Sequence, residues 1–207
     1  MLATMDAEQT YGGLNVSTVE TARKMTAEEF LALPDDGVER WLIQGELHED
    51  RDSDMNRRNP DHSGVMLTLG GFLSAWILSQ PKPRGRGYAG DVSFKLRRDS
   101  DTLVGIDVAY ISPDLRSRTP KGRKIVEGIP TLAVEILSPS DTHAKMTGKV
   151  QEYLAVGIPL VWVVDPDFET VTVYRPDAEP ATFNKRQELT ADPHLPGFRV
   201  SVAELFE

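Results

Sequence analysis

The sequence predicts an α/β protein with a mixed central sheet flanked by helices, and three observations carry that prediction. Three β-rich runs, near 88–96, 104–111 and 131–137, follow one another through Gly- and charge-rich connectors, the pattern of a mostly antiparallel meander. The third run leads into a helical segment and then into Pro159-Leu-Val-Trp-Val-Val-Asp165, which is nearly continuous in apolar residues, as a strand buried on both faces is. Strand, helix and buried strand in succession imply a parallel crossover, right-handed by default. From His62 to about Ser79, Val65, Met66, Leu69, Phe72, Leu73, Trp76 and Ile77 recur at three- and four-residue spacings, which predicts a long helix with one wide apolar stripe.

Taken in order, residues 1–24 show no sustained periodicity and read as a flexible arm, leaving 25–207 as one domain. Met25-Thr-Ala-Glu-Glu-Phe30 carries a capping box: Thr26 is the N-cap, Glu29 follows three residues later, and Met25 can staple onto Phe30. The short helix this starts is stopped by Pro34-Asp-Asp-Gly37. Glu39 to His48 reads as a strand pair or a bent strand, with Gln44-Gly45 as a tight turn or bulge, and 49–61 reads as a charged loop. After the long helix and the three β runs, Ser138-Pro-Ser-Asp141 supplies a turn and helix cap. Lys149, Val150, Tyr153 and Leu154 mark a helix that Lys149 opens and Gly157 ends. Thr170-Val-Thr-Val-Tyr174 alternates as a more exposed strand.

Composition narrows the class. Hydrophobic residues at 40% and charged residues at 27% are ordinary for a globular chain. The longest apolar stretch, Val65 to Leu78, is broken by Thr68, Gly70, Gly71 and Ser74 and is too short for a bilayer, so no membrane association is expected. Cysteine is absent, which removes disulfides and thiolate metal sites and fits a reducing, cytoplasmic setting. The net charge of −9 hides an uneven distribution, because 82–124 holds eleven basic residues against five acidic ones. Within that window Arg84, Arg86, Arg116, Arg118, Lys121, Arg123 and Lys124 are candidates for gripping a nucleic-acid backbone; solvated loops around Arg84 and Arg116 are the plainer alternative.

The chemistry concentrates in Asp107, Glu135 and Lys149. Both acids lie inside β-rich runs, Val104-Gly-Ile-Asp-Val-Ala-Tyr-Ile111 and Pro130-Thr-Leu-Ala-Val-Glu-Ile-Leu137, where most neighbours are apolar and an unpaired carboxylate would be costly. Two carboxylates from separate strands, with the backbone carbonyl of Ile136, can hold a hard divalent cation such as Mg2+ or Mn2+, and Lys149 can act on the attacking water or a phosphate. An ion-paired strand-end acid, a capping acid and a solvent-facing lysine are the competing structural roles. Glu46, His62 and Tyr153 are candidates to support these groups or touch substrate. Ser138 and Ser140 lack the Gly-x-Ser-x-Gly setting of a nucleophile, and His143 is too local to pair with them.

Several stretches resemble the Uma-type "putative restriction endonuclease" family of the PD-(D/E)XK nuclease superfamily. They are Met25-Thr-Ala-Glu-Glu-Phe-Leu-Ala-Leu-Pro34, Leu42-Ile-Gln-Gly-Glu-Leu47, Ile106-Asp107, Val134-Glu-Ile-Leu-Ser-Pro-Ser140 and Lys149 through Pro166, spanning about 25–200 with the weaker similarity around them. The resemblance implies a restriction-endonuclease-like core, a metal-dependent nuclease site, DNA as substrate and a homodimer. It assigns the first acid to Asp107, the second to Glu135, and the lysine to Lys149, since the position two residues after the second acid is Leu137. Ile106 stands in place of the usual proline, Trp41 where the family often has Glu, and Lys145 where an acid often precedes the helix lysine. Two alternatives remain open at this level: a nuclease fold retained as a non-cleaving nucleic-acid-binding or interaction module, and a glycosidase-like acid and base pair.

Overall fold

The computed structural model describes residues 23–50, 59–97, 101–139 and 141–207. The arm expected over 1–24 lies outside them except for Arg23, which pairs with Glu29, and Lys24. Helix α1 (Ala27–Leu31) has the reciprocal cap: Thr26 accepts from Glu29 N, and the Glu29 carboxylate accepts from Thr26 N. Strands β1 (Glu39–Ile43) and β2 (Glu46–Asp50) pair antiparallel around Gln44-Gly45. Both turn residues have positive φ, +51° and +81°, the backbone of a two-residue hairpin turn, and Gly is at ease there. The charged loop expected over 49–61 is shorter than that, because 49–50 complete β2 and Pro60 opens α2; 51–58 lie outside the described residues.

Helix α2 (Pro60–Ser79) is capped by Asn59, whose side chain accepts from Asp61 N. With 20 residues it is, by length and composition, long and apolar enough to cross a membrane, which the shorter count from sequence had excluded. Here Val65, Leu69 and Leu73 bury into the core, while Leu67 and Leu78 on the far side are 79% and 64% exposed. Strands β3 (Arg86–Arg97) and β4 (Thr102–Ile111) pair antiparallel, and β4 pairs antiparallel with β6 (Leu132–Ile136), as the meander predicted. Between them lie α3 (Pro113–Arg118) and the two-residue β5 (Val126–Glu127), which pairs with β3.

Helix α4 (His143–Ala155) returns the chain to β7 (Val161–Asp165), parallel to β6, so the predicted crossover is present. Two details differ from the sequence reading. The N-cap is Thr142, which accepts from Lys145 N, and Lys149 sits in the middle of α4 rather than opening it. Ser138 belongs to a turn closed by the Asp141 carboxylate, and Ser140 lies outside the described residues. A helix N-terminus is weakly marked in a Ser/Thr/Asp-rich stretch where several residues have capping chemistry, and tertiary packing selects among them. Strands β8 (Thr170–Arg175) and β9 (Ala178–Asn184) extend the sheet, and β10 (Glu188–Thr190) and β11 (Arg199–Ser201) form a small separate one.

The main sheet runs β2-β1-β4-β6-β7-β8-β9, with β3 along the other edge of β4. Alternation sorts its residues between two layers. Leu132, Val134, Ile136, Trp162 and Val164 face α2 and the C-terminal segment; Ala133, Val161 and Val163 face α4, where Met146, Val150 and Tyr153 cover them. Glu135 therefore points into the α4 layer.

Candidate active site

One edge of β4 is shared by two partners that do not meet. β1 touches it at Leu42↔Leu103, and β6 at Val108↔Val134 through Tyr110↔Leu132. Continued antiparallel pairing would set Ile106 opposite Ile136. Instead Ile136 N donates to Asp107 Oδ2 at 2.8 Å, so a carboxylate takes the place of the next ladder bond and the two strands diverge. This fork is the candidate site. It explains why an acid stands within a buried strand: the backbone amide released by the divergence needs an acceptor.

Glu135, 4% exposed, stands one residue before that amide. Its Oε1 accepts from the Tyr153 hydroxyl at 2.6 Å, and its Oε2 lies 3.3 Å from Lys149 Nζ. Tyr153 and Lys149 are four apart on α4, on one helix face, so a single helix delivers both partners. Burial pushes the Glu135 carboxyl up, Lys149 pulls it down and Asp107 pushes it up again, leaving it at about 7. Burial lowers Lys149, but the charges of Glu135, Glu39 and Asp107 outweigh that and hold it protonated well above the usual lysine range. Tyr153 is pushed well above its ordinary value by burial and by the Glu135 charge, so its hydroxyl remains a donor.

Around this centre the sequence candidates separate. His62, buried at the start of α2, places Nε2 3.3 Å from Asp107 Oδ2, while its Nδ1 is buried with no partner among the described residues. Glu46 is exposed on the outer strand β2, opposite Ile43. Arg86 pairs with Ile111, four residues past Asp107 and so roughly 13 Å along the strand at ~3.3 Å per residue. Arg84 and Arg116 gather at that same remote end: Arg116 Nη1 donates to the Arg84 and Gly85 carbonyls at 3.0 Å, and Arg84 Nε donates to Gln80 O at 2.7 Å. Arg118 pairs with Asp114, and Lys121, Arg123 and Lys124 are exposed on the loop before β5.

Two residues at the site, Glu39 and Asp91, were not singled out from sequence, and a third, Trp41, stood out only as a departure from the family pattern. Glu39, on β1, lies 3.5 Å from Lys145 Nζ and 4.0 Å from Lys149 Nζ. Trp41, two residues on, offers its ring face to the same ammonium groups at 4.9 and 5.5 Å. Period-two alternation in Glu39-Arg-Trp41 could have paired these two with each other, but nothing local points to α4. Asp91 acts through its charge on both Glu135 and Tyr153. It sits on β3 in an Ala-Gly-Asp-Val context that reads as an ordinary turn or bulge.

Among the described residues, no three His, Asp or Glu side chains form a ready-made metal cage. A hard cation such as Mg2+ keeps several waters and needs only one or two carboxylates, so the donors present, the oxygens of Asp107, Glu135 and the Ile136 carbonyl, fit its chemistry. Two close carboxylates in a buried site, one of them pushed up to about 7, also favour added positive charge.

A crystal structure described as a "putative nuclease belonging to DUF820", from Anabaena variabilis ATCC 29413, shares this fold with a TM-score of 0.72 at 23% identity, over 88% of this chain and 97% of that one. No curated protein matches the chain. The model of the Uma2 family, described as "putative restriction endonuclease", matches residues 27–203, and the chain belongs to that family.

Proposed function

We propose that this protein is a divalent-metal-dependent nuclease that hydrolyses phosphodiester bonds in DNA, acting in the cytoplasm as a homodimer. The observation that supports the reading is the fork, where Asp107 accepts from the amide that follows Glu135, and Glu135 lies beside the Lys149 ammonium. Asp107, Glu135 and the Ile136 carbonyl would hold the cation. When bound, Mg2+ or Mn2+ supplies Lewis-acid stabilisation of phosphoryl oxygens and lowers the pKa of a bound water. Tyr153 fixes the Glu135 carboxylate by its hydrogen bond, His62 lies against Asp107, and Lys149 offers N–H donors to the attacking water or a phosphate oxygen. The basic residues of 82–124 give a polyanion attractive ground on an otherwise acidic molecule. The absence of cysteine supports a reducing compartment. The exposed Leu67 and Leu78 on α2, in a run without charge from His62 to Pro81, support self-association.

The test is cleavage of plasmid DNA under Mg2+ and Mn2+ by the wild type and by Glu135→Ala, with light scattering for the oligomeric state. Metal-dependent cleavage that Glu135→Ala abolishes is the expected result; cleavage unchanged in that variant sinks the assignment. One observation favours a second reading, a binding module without turnover. Both Glu135 oxygens already have partners in Tyr153 and Lys149, a satisfied arrangement that holds without a metal. That reading requires DNA retention with no cleavage under either metal. Neither the family nor the fold supports the glycosidase-like alternative.

A further inference from the structure

The irregular stretch of β3 lies directly across from Asp107. Ala89 pairs with Val108 and Val92 with Ile106, so Gly90 and Asp91 together face the single residue Asp107, which is a β-bulge. Asp91 has φ +61°, a left-handed conformation that non-glycine residues adopt uncommonly. The bulge aims its side chain at β4, where a niche receives it: a Cβ built on Gly105 would overlap Asp91 Oδ1. Alternation puts the missing side chain of Gly105 and the carboxylate of Asp107 on the same face of β4, two residues apart. Asp91 thus brings a third carboxylate alongside Asp107, by means of a left-handed residue and a glycine gap on two different strands. Its charge reaches Glu135 and Tyr153, which places it within the electrostatic range of the α4 layer as well.

Resting on the metal-dependent reading above, we propose that Asp91 is a positioning residue of the site, holding a water on the divalent cation carried by Asp107 and Glu135. Direct ligation by all three acids is not what the geometry offers, since no three-carboxylate cage is formed among the described residues. A contact through water suits a cation that keeps much of its hydration shell. Groups that hold the outer sphere of a metal site change affinity by about 10- to 100-fold when removed.

The experiment is calorimetric titration of Mn2+ into the full-length wild type, Asp91→Asn, Gly105→Ala and Glu135→Ala, with a thermal melt of each. Asparagine tolerates a left-handed position about as well as aspartate does and keeps its shape, so Asp91→Asn should keep the wild-type melting temperature. Gly105→Ala leaves the Asp91 charge in place but closes its niche. The expected result is a loss of about tenfold or more in Mn2+ affinity for both variants. Wild-type affinity in Asp91→Asn, with binding lost in Glu135→Ala, overturns this inference alone. Unchanged binding in Glu135→Ala overturns the metal reading, and this inference with it.

Discussion

Glu135 is a buried acid whose two oxygens are claimed by different residues of one helix, and its titration links the site to stability. Its carboxyl is raised, mainly by burial, from 4.5 to about 7. Between those values the native state keeps a proton that the unfolded chain has released. The native state then binds more protons, and stability falls as pH rises across that window. Glu135→Gln removes the titration. In chelator-treated protein, urea melts from pH 4 to pH 8 should show the variant gaining on the wild type by up to roughly 3 kcal/mol, at about 1.4 kcal/mol per pKa unit. A difference that stays flat across the range would refute the assignment. The same linkage predicts that Mn2+ binds more tightly as pH rises through about 7, with proton release visible as a buffer-dependent heat. Tyr153→Phe deletes the 2.6 Å donor to Glu135 Oε1 and should cost roughly 1.5–3 kcal/mol, the range for a hydrogen bond to a charged group.

Among the elements, α4 matters most to the site because it carries both partners of Glu135. Thr142→Ala removes its N-cap and should lower the denaturation midpoint by an amount equivalent to about 1 kcal/mol, while Lys149 keeps its ion pair. Helix α2 covers the opposite face, and Leu69 is fully buried there. Leu69→Ala should cost about 2–5 kcal/mol in a denaturant melt, and a cost near zero would mean that α2 does not pack as described. The fork between β4 and β6 is different in kind, since it depends on a backbone bond not being made. No residue in Val104–Ile111 signals where its pairing partner changes; β1 and β6 decide that from elsewhere in the chain. For this reason the strands, and the acids within them, were legible from the apolar runs, whereas the divergence that ties Asp107 to the Ile136 amide was not.

For the whole molecule, the charge pattern separates two groups of basic residues that look alike in sequence. Arg116 and Arg84 are tied to backbone carbonyls, and Arg118 to Asp114, all of them contacts within the fold. Lys121, Arg123 and Lys124 are exposed on a loop. If DNA is gripped by 82–124, replacing those three with alanine should reduce the slope of log affinity against log salt by about 2–3, near 0.9 per phosphate contact, in a fluorescence titration. Arg116→Ala should instead act chiefly on the melting temperature. A triple variant with the wild-type slope removes that loop from the interface. By itself the sequence determined the α/β class, the capping box at Thr26, the long helix and the parallel crossover, and narrowed Gln44-Gly45 to a tight turn or bulge, because each rests on local periodicity or turn chemistry. The tertiary structure alone decided that Tyr153 and Lys149 divide the two oxygens of Glu135, that Glu39 and Trp41 meet α4, and that Asp91 fills the gap over Gly105. Those contacts join strands and helices distant in the chain, and their distances depend on how the sheet splays, which no short window of residues encodes.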